Sequence, residues 1–297
     1  MKVATVGLLL VALCACSKKS FTTPPGKAGG EVTWIGALVS AEHRIMGDVM
    51  TYGFPSRGML LYREGYVCSY DTRTRGPHWV AERLNAKRLQ RGATQPTRRF
   101  RVDAELNEEF RSQSNDFLGT EYVRGRLAAA SNHLGDPVAL AQTYYLSNVA
   151  PQLGRAFRQS FWVHFEARVR DWARQADDVY VFTGPLFLPE EDADGRSYVR
   201  YEVIGANQVA VPTHFFKVML REKDGVREMQ AFIVPHRPLE KESPLAQFLV
   251  SVDDVERLAG LDFFDELTEP TQSRLEAGNT GVVWGDPRPE AEPTVGN

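Results

Sequence analysis

The stretch Tyr122-Val123-Arg124-Gly125-Arg126-Leu127-Ala128-Ala129-Ala130-Ser131-Asn132-His133 decides how this chain of 297 residues is interpreted. Arg124 and Arg126 flank Gly125, and His133 closes the stretch. A guanidinium group, with a pKa above about 12, has no lone pair to offer a proton. Val123 can pack against neighbours but cannot orient water. The stretch therefore concentrates positive charge, and His133 is the nearest candidate for a general base.

Other distinctive segments lie on both sides of this stretch. They are Tyr52-Gly53-Phe54-Pro55, Tyr70-Asp71-Thr72-Arg73, Tyr144-Tyr145-Leu146-Ser147-Asn148-Val149-Ala150-Pro151-Gln152, Thr183-Gly184-Pro185-Leu186, Asp194-Gly195-Arg196-Ser197-Tyr198-Val199 and Val209-Ala210-Val211-Pro212-Thr213-His214-Phe215. Together they resemble, in the same order, segments of the DNA/RNA non-specific endonucleases, and of the endonuclease G family in particular. The similarity runs from about Met50 to Phe264. So many ordered segments identify the chain as a member of this family.

The resemblance implies an α+β fold with a mixed or antiparallel sheet, in a single globular domain over residues 50–266. Within it, a strand pair and a helix form a ββα-metal finger that holds one divalent ion, Mg²⁺ in the family. Active members carry an Asp-Arg-Gly-His motif, in which the histidine accepts a proton from the attacking water. An asparagine on the following helix binds the metal, which neutralises charge on the scissile phosphate.

Three of these chemical roles have no counterpart in this chain. By the resemblance, Val123 stands at the motif aspartate, Arg126 at the catalytic histidine and Arg158 at the metal-binding asparagine. A divalent ion facing the Arg158 guanidinium would meet repulsion on the order of several kcal/mol. Glu166 remains, but a single carboxylate is a poor Mg²⁺ site, and it fits better as a group that orients neighbouring arginines. We therefore expect no bound Mg²⁺ and lost or strongly reduced phosphodiester hydrolysis.

The phosphate-binding half of the site is retained. Arg111 resembles a family arginine that contacts the phosphate, and Arg124 and Asn148 also match the family. Guanidinium groups bind phosphate oxygens bidentately without a metal, so Arg126 and Arg158 add to this half. The predicted nucleic-acid-binding residues are Arg111, Arg124, Arg126 and Arg158. The predicted function is binding of a DNA or RNA backbone, or of a partner protein.

Two alternatives stay open. The first is an active metal-dependent DNA/RNA endonuclease, in which His133 or a bound water replaces the missing base. The second is a regulatory role. Active members of the family form homodimers, so a degenerate copy can be expected to pair with itself or with an active subunit as a heterodimer.

Composition is that of an ordinary globular protein, with 43% hydrophobic residues and a net charge of −3. Basic residues are nevertheless concentrated in one run without acidic interruption: Arg83, Lys87, Arg88, Arg91, Arg98, Arg99 and Arg101. This run is either a phosphate-facing surface or a solvated loop broken by Gly92 and Pro96. Cys68 is the one cysteine beyond the N-terminal leader, so no disulfide framework supports the fold.

The two ends of the chain differ from this domain. Residues 1–16 form an apolar leader of signal-peptide size, which also suits a short membrane anchor. Residues 17–49 are typical of a tether, with order expected to begin between Val32 and Gly53, and residues 267–297 of a disordered tail. The family resemblance implies the mitochondrial inner membrane or intermembrane space, whereas the leader alone indicates a secretory or lipoprotein-like protein. We predict a mitochondrial location.

Local patterns predict both strands and helices. A hairpin is expected from 66–70 to 78–80, and later strands at 179–182, 198–204, 209–220 and 229–234. Phe157, Phe161, Phe165 and Val169 recur at every fourth residue, which predicts an amphipathic helix with one apolar face. A further helix is expected to begin after Ser251, whose side chain can cap it.

Overall fold

The computed structural model describes residues 44–92, 99–277 and 281–286. Its centre is a seven-stranded sheet in the order β1-β2-β3-β6-β11-β12-β13, in which every neighbouring pair is antiparallel. These strands are β1 (Met59–Arg63), β2 (Tyr66–Asp71), β3 (Gly76–Leu84), β6 (Asp178–Leu186), β11 (His214–Lys223), β12 (Val226–Pro235) and β13 (Leu249–Val250). Three two-stranded sheets are formed by β4 (Tyr122–Arg126) with β5 (Val149–Leu153), β7 (Glu190–Glu191) with β8 (Ser197–Tyr198), and β9 (Val203–Ile204) with β10 (Val209–Ala210).

Helices cover both faces of the central sheet. They are α1 (residues 44–49), α2 (Pro137–Gln142), α3 (Val163–Arg174), α4 (Val252–Ala259) and α5 (Glu269–Ala277). A π-helical segment, Gly154–Trp162, leads directly into α3. Short 3₁₀ turns occur at Glu108–Phe110, Ser114–Phe117, Ala130–Asn132, Leu146–Asn148 and Leu245–Phe248.

The alternation of β11 explains the two layers of core on either side of the sheet. Phe215 and Met219 face the core that contains α3, whereas Phe216 and Val218 face the core that contains α1, α4 and α5. A strand buried on both faces reads as a nearly continuous apolar run, which this segment is apart from Lys217. The expected α+β fold in one domain, with a mostly antiparallel sheet, is confirmed.

The predicted ββα finger is formed by β4, β5 and the helix that follows. The two strands pair antiparallel, with Tyr122 opposite Leu153 and Arg126 opposite Val149. The helix begins at Gly154 and runs through the π-helical segment to Arg174. Its apolar stripe packs into the core as predicted, because Phe157, Phe161 and Phe165 are each less than 3% exposed.

Most predicted strands and the helix after Ser251 are present. Ser251 Oγ accepts a hydrogen bond from the Asp254 amide, as a helix N-cap does. The predicted strand 209–220 is divided into β10 and β11, because Pro212 has no amide hydrogen to donate to a ladder. The predicted strand 198–204 keeps pairing only at its two ends, in β8 and β9.

The predicted tether and tail are too long where the structure describes them. Within 17–49, α1 buries Ile45 and Val49. Within 267–297, α5 buries Leu275, and the segment 281–286 buries Val283 and Trp284. A few apolar residues are enough to order a polar segment when they pack against a part of the protein that is distant in sequence. Local composition gives no information about such packing. The predicted leader 1–16 lies outside the described residues, among which no helix is long and apolar enough to cross a membrane.

Candidate active site

Strand β4 carries the motif residues at the edge of the finger. Because side chains alternate along a strand, Arg124 and Arg126 share one face, and Val123 lies on the other. Val123 is 39% exposed, and a Cβ built on Gly154 would lie 3.3 Å from its Cγ1. A Cβ on Gly125 would lie 2.2 Å from the amide carbon of Gln152, so glycine is required for the two strands to pack.

Aromatic rings hold the two arginines of β4. The Arg124 guanidinium lies 4.7 Å from the centre of the Phe100 ring, and that of Arg126 lies 4.5 Å from the centre of Tyr144. Neither arginine has an acidic partner in the described part of the chain. Nη1 of Arg126 is buried and finds no hydrogen-bond partner among the described residues. Stacking on rings contributes about 0.5–1 kcal/mol at an exposed site but leaves the positive charge available to an anion.

Arg158 and Glu166 meet on the helix of the finger. Glu166 is 4% exposed, and its Oε2 lies 3.5 Å from Nη2 of Arg158, which comes from the π-helical segment. The other oxygen, Oε1, is buried without a hydrogen-bond partner among the described residues. The side-chain nitrogen and oxygen of the fully buried Gln152 also have no hydrogen-bond partner among the described residues. Unpaired buried polar groups are costly and concentrate where a protein holds a ligand or water.

His133 is committed to a different carboxylate. Its Nε2 lies 2.9 Å from Oε1 of Glu82, which also accepts a hydrogen bond from Asn132 Nδ2 at 3.0 Å. Its ring packs over Gly65, where a Cβ would come within 2.4 Å of Nδ1. His133 lines a cavity beside Gly65 and Lys87, and none of these residues belongs to β4 or to the helix of the finger.

The side chains of Asn148 and Arg111 form hydrogen bonds with backbone groups. Asn148 is fully buried, and its side chain bonds to the amide and the carbonyl of Ala128 and to the carbonyl of Thr143. Asn148, predicted as a catalytic residue in the retained half of the site, thus positions the chain just after β4. Arg111, which is half-buried, donates from Nε to the Leu106 carbonyl at 2.7 Å and from Nη2 to the Ala104 carbonyl at 3.4 Å.

The basic run is not one continuous surface. Arg83 lies on β3 and forms a bidentate pair with Asp178, and both Arg83 and Arg88 also bond to Asp48. Burial raises the pKa of the Asp178 carboxyl, but hydrogen bonds from Arg83 and Asn85 and the charges of Arg83 and Arg88 together hold it below its usual range. The charge of these two arginines is therefore neutralised by acids far away in sequence. Arg98 lies outside the described residues.

These features agree with what is known of other proteins. A family model described as DNA/RNA non-specific endonuclease matches residues 45–269. The chain belongs to the DNA/RNA non-specific endonuclease family. The mitochondrial endonuclease G of Homo sapiens is 44% identical over 218 residues, which is 73% of each chain.

Two further comparisons extend this result for the family. The mitochondrial endonuclease G of Caenorhabditis elegans is 40% identical over 242 residues, 80% of this chain and 78% of that one. Among solved structures, a chain of the EndoG/EndoGI complex superposes with a TM-score of 0.73 at 43% identity, covering 75% of this chain and 92% of the other. The expectation of an endonuclease G-like chain is confirmed in fold and family.

The residues present at the finger do not fit the divalent metal of the family. Mg²⁺ takes oxygen ligands in a near-ideal octahedron and is held through carboxylates. Glu166 is the carboxylate here, and the Arg158 guanidinium already lies against it. Within the described chain, the one group of three acids close enough to share a cation is Asp253, Glu256 and Glu276, on α4 and α5. No step of the chemistry proposed below is therefore routed through a metal.

Sequence reasoning missed a buried cation behind the finger. Lys217 of β11 is 3% exposed, donates to Thr183 Oγ1 at 2.7 Å and lies 5.1 Å from the centre of the Trp162 ring. Burial lowers the pKa of this amine, and the nearby Glu166 opposes that effect. The signal was present, because a lysine interrupts the apolar run Phe215–Leu220 at a position that faces α3.

Proposed function

We propose that the chain is an endonuclease G-like protein that binds the phosphate backbone of DNA or RNA and hydrolyses it at a strongly reduced rate or not at all. The observation that carries the proposal is the position of Arg158. Its guanidinium lies 3.5 Å from the buried carboxylate of Glu166, where the resemblance expects a metal ligand. The positively charged side chain of Arg158 thus lies beside Glu166, the acid that would help to hold a divalent cation.

The same residues suit phosphate binding. Arg124 and Arg126 keep unneutralised charge on one face of β4, and their contacts with Phe100 and Tyr144 limit the conformations of the guanidinium planes. Planar guanidinium groups donate two parallel hydrogen bonds to phosphate oxygens. Arg126 Nη1 has a donor to spare. Because Arg126 is an arginine, it can neutralise a phosphate but cannot remove a proton from water.

Cleavage assays test the loss of hydrolysis. Supercoiled plasmid and single-stranded RNA are incubated with the protein in Mg²⁺ and in Mn²⁺, and we expect cleavage at the level of buffer alone. Arg126→Ala and the matched surface variant Arg274→Ala should give the same result as the parent chain. Turnover by the parent that Arg126→Ala abolishes would contradict the proposal.

Binding assays test the retained half. The logarithm of the association constant for duplex DNA should fall linearly with the logarithm of salt concentration. Each lost phosphate contact should reduce the slope by about 0.9. We expect this reduction for Arg126→Gln and for Arg124→Gln, and none for Arg274→Gln. A binding constant independent of salt would instead favour the regulatory, protein-binding role.

A second candidate is an active metal-dependent endonuclease, which the 44% identity to human endonuclease G favours. In that case His133 or a bound water has to act as the base, although His133 Nε2 is bonded to Glu82. His133→Gln should then remove all cleavage while the unfolding midpoint changes little. Equal cleavage by variant and parent would exclude His133 from the chemistry.

Partners and location follow from the relatives and remain part of the proposal. The structural relative is seen in a complex with EndoGI, and we propose that this chain also forms protein complexes, as a homodimer or with an active family member. Relatives from human and nematode are named mitochondrial, which supports mitochondria over a secretory or lipoprotein-like route. Imaging of a C-terminally tagged full-length chain, followed by carbonate extraction, tests both the location and an anchor within residues 1–16.

A further inference from the structure

The cavity that His133 lines lies away from the residues of the finger. It measures about 650 Å³ and opens between the loop 85–92 and the segment 132–139. That volume is in the range of small-molecule sites, which is about 300–1,000 Å³. None of Val123, Arg126 or Arg158 lines it.

Backbone hydrogen bonds tie the walls of this cavity together. Gly92 donates to the Leu134 carbonyl at 2.8 Å, and the Arg88 amide donates to the Asn85 side chain at 2.9 Å. A Cβ on Gly135 would lie 2.7 Å from the Gln90 carbonyl, so the two segments are in close contact. The cavity is thus formed by the fold rather than by loosely placed loops.

Cations dominate the walls once the pairs within the protein are taken into account. The two acids that line the cavity are engaged, since Glu64 bonds to Arg44 and Asp136 caps the amides that begin α2. Of the lining cations, Arg83 and Arg88 are paired with acids. Lys87 and Arg91 are exposed at the rim, and neither has an ion pair within the described residues. Lys87 and Arg91 are therefore the two lining cations without an ion pair among the described residues, and Asp136 is the one lining acid without one.

The floor adds one nitrogen of a largely buried histidine ring. The His133 side chain is 7% exposed, and its Nε2 is bonded to Glu82. Its other nitrogen, Nδ1, has no hydrogen-bond partner among the described residues and lies over Gly65, which lines the same cavity. When Nε2 donates to the carboxylate, Nδ1 carries the lone pair of the neutral ring and accepts a hydrogen bond from a hydroxyl group.

We propose that this cavity binds a phosphate monoester of nucleotide size, with Lys87 and Arg91 at the phosphate and His133 Nδ1 at a hydroxyl group. A monoester carries a charge of about −1.5 to −2 near neutral pH, which matches the two free cations. The same chemistry is offered by a free mononucleotide and by the phosphorylated end of a nucleic-acid strand. The inference does not depend on the proposed function, because no residue of the finger contributes to the cavity.

Calorimetric titration of the full chain with AMP tests the proposal. We expect AMP to bind and adenosine, which lacks the phosphate, to bind at least about tenfold more weakly. The double variant Lys87→Gln with Arg91→Gln should lose at least about tenfold in AMP affinity. Lys223→Gln with Arg274→Gln removes two exposed cations elsewhere and should leave the affinity unchanged. His133→Gln should weaken AMP more than it weakens inorganic phosphate.

Separate arms identify the source of the phosphate and the site. Binding of a 5′-phosphorylated oligonucleotide that depends on Lys87 and Arg91, compared with its 5′-hydroxyl form, assigns the cavity to strand ends. Binding of AMP alone assigns it to free nucleotides. AMP affinity that survives the double variant, or that disappears in Arg126→Gln with Arg158→Gln, would overturn the proposal. No measurable heat with AMP at millimolar concentration would overturn it as well.

Discussion

Two buried glutamates, Glu82 of β3 and Glu166 of α3, differ in how their carboxylates are bonded. Glu82 of β3 is 2% exposed, and its Oε1 accepts hydrogen bonds from Asn132 and His133. Glu166 of α3 is 4% exposed, and Nη2 of Arg158 lies 3.5 Å from its Oε2, with Lys217 and Arg170 as further cations within electrostatic reach; its Oε1 has no hydrogen-bond partner in the described chain. The two side chains are buried to nearly the same extent, but their carboxylate oxygens differ in how many hydrogen bonds they accept.

The difference separates a structural acid from one that has lost its partner. A buried charge is tolerated when hydrogen bonds replace its water, which is the condition of Glu82. Glu166 has a cation near it but no hydrogen bond to either oxygen, so its environment fits neither a designed ion pair nor a metal site. We propose that this incomplete pair, together with Val123 and Arg126, is what remains of a nuclease site whose ligands have been replaced.

Restoring the family motif should produce the largest effect. Val123→Asp, Arg126→His and Arg158→Asn together supply a base, an acceptor and a metal ligand beside Glu166. We expect plasmid cleavage in Mg²⁺ to rise by about 10²–10⁴-fold, the usual contribution of a general base. The rise should disappear with EDTA and be absent from Arg126→His alone, which lacks the metal ligand. A folded triple variant that binds Mg²⁺ and remains inactive would show that the defect lies elsewhere.

The second-largest effect is expected at Glu82, the acid whose carboxylate accepts hydrogen bonds from Asn132 and His133. Glu82→Gln keeps the shape of the side chain but removes the charge that holds Asn132 and His133. Hydrogen bonds to a charged group contribute about 1.5–3 kcal/mol, so we expect the free energy of unfolding in urea to fall by about 2 kcal/mol. A change below about 0.5 kcal/mol would mean that the two donors are satisfied without the charge.

The sequence predicted the framework of this comparison but not its details. The hairpin of β2 and β3 and the helix of the finger follow from alternation and from a four-residue spacing, which are local signals. The pairing of Arg83 and Arg88 with Asp48 joins residues that are 35 and 40 positions apart in the sequence, and no local pattern encodes it. The burial of Trp284 depends likewise on a distant surface, where Trp172 Nε1 donates to its carbonyl.

The third effect tests the incomplete pair directly. Arg158→Gln removes the cation that pairs with Glu166 and leaves the buried carboxylate with only the more distant charges of Lys217 and Arg170. We expect the free energy of unfolding to fall by about 1 kcal/mol, because the pair is long and makes no hydrogen bond. Added Mg²⁺ should raise the melting temperature of this variant and not that of the parent. Equal Mg²⁺ responses in both proteins would show that Arg158 does not obstruct cation binding.

The smallest effect is expected at Glu166 itself. Glu166→Gln removes the weak attraction between Glu166 and Arg158, which destabilises the protein. It also removes the desolvation cost of a buried charge, which stabilises it, so the two contributions oppose each other. We expect the free energy of unfolding to change by less than about 1 kcal/mol, against about 2 kcal/mol for the same substitution at Glu82. A cycle that adds Arg158→Gln measures the coupling between the two side chains. If Glu166→Gln destabilised the protein as much as Glu82→Gln, the two acids would be equally satisfied, and Arg158 would have to be regarded as a full structural partner.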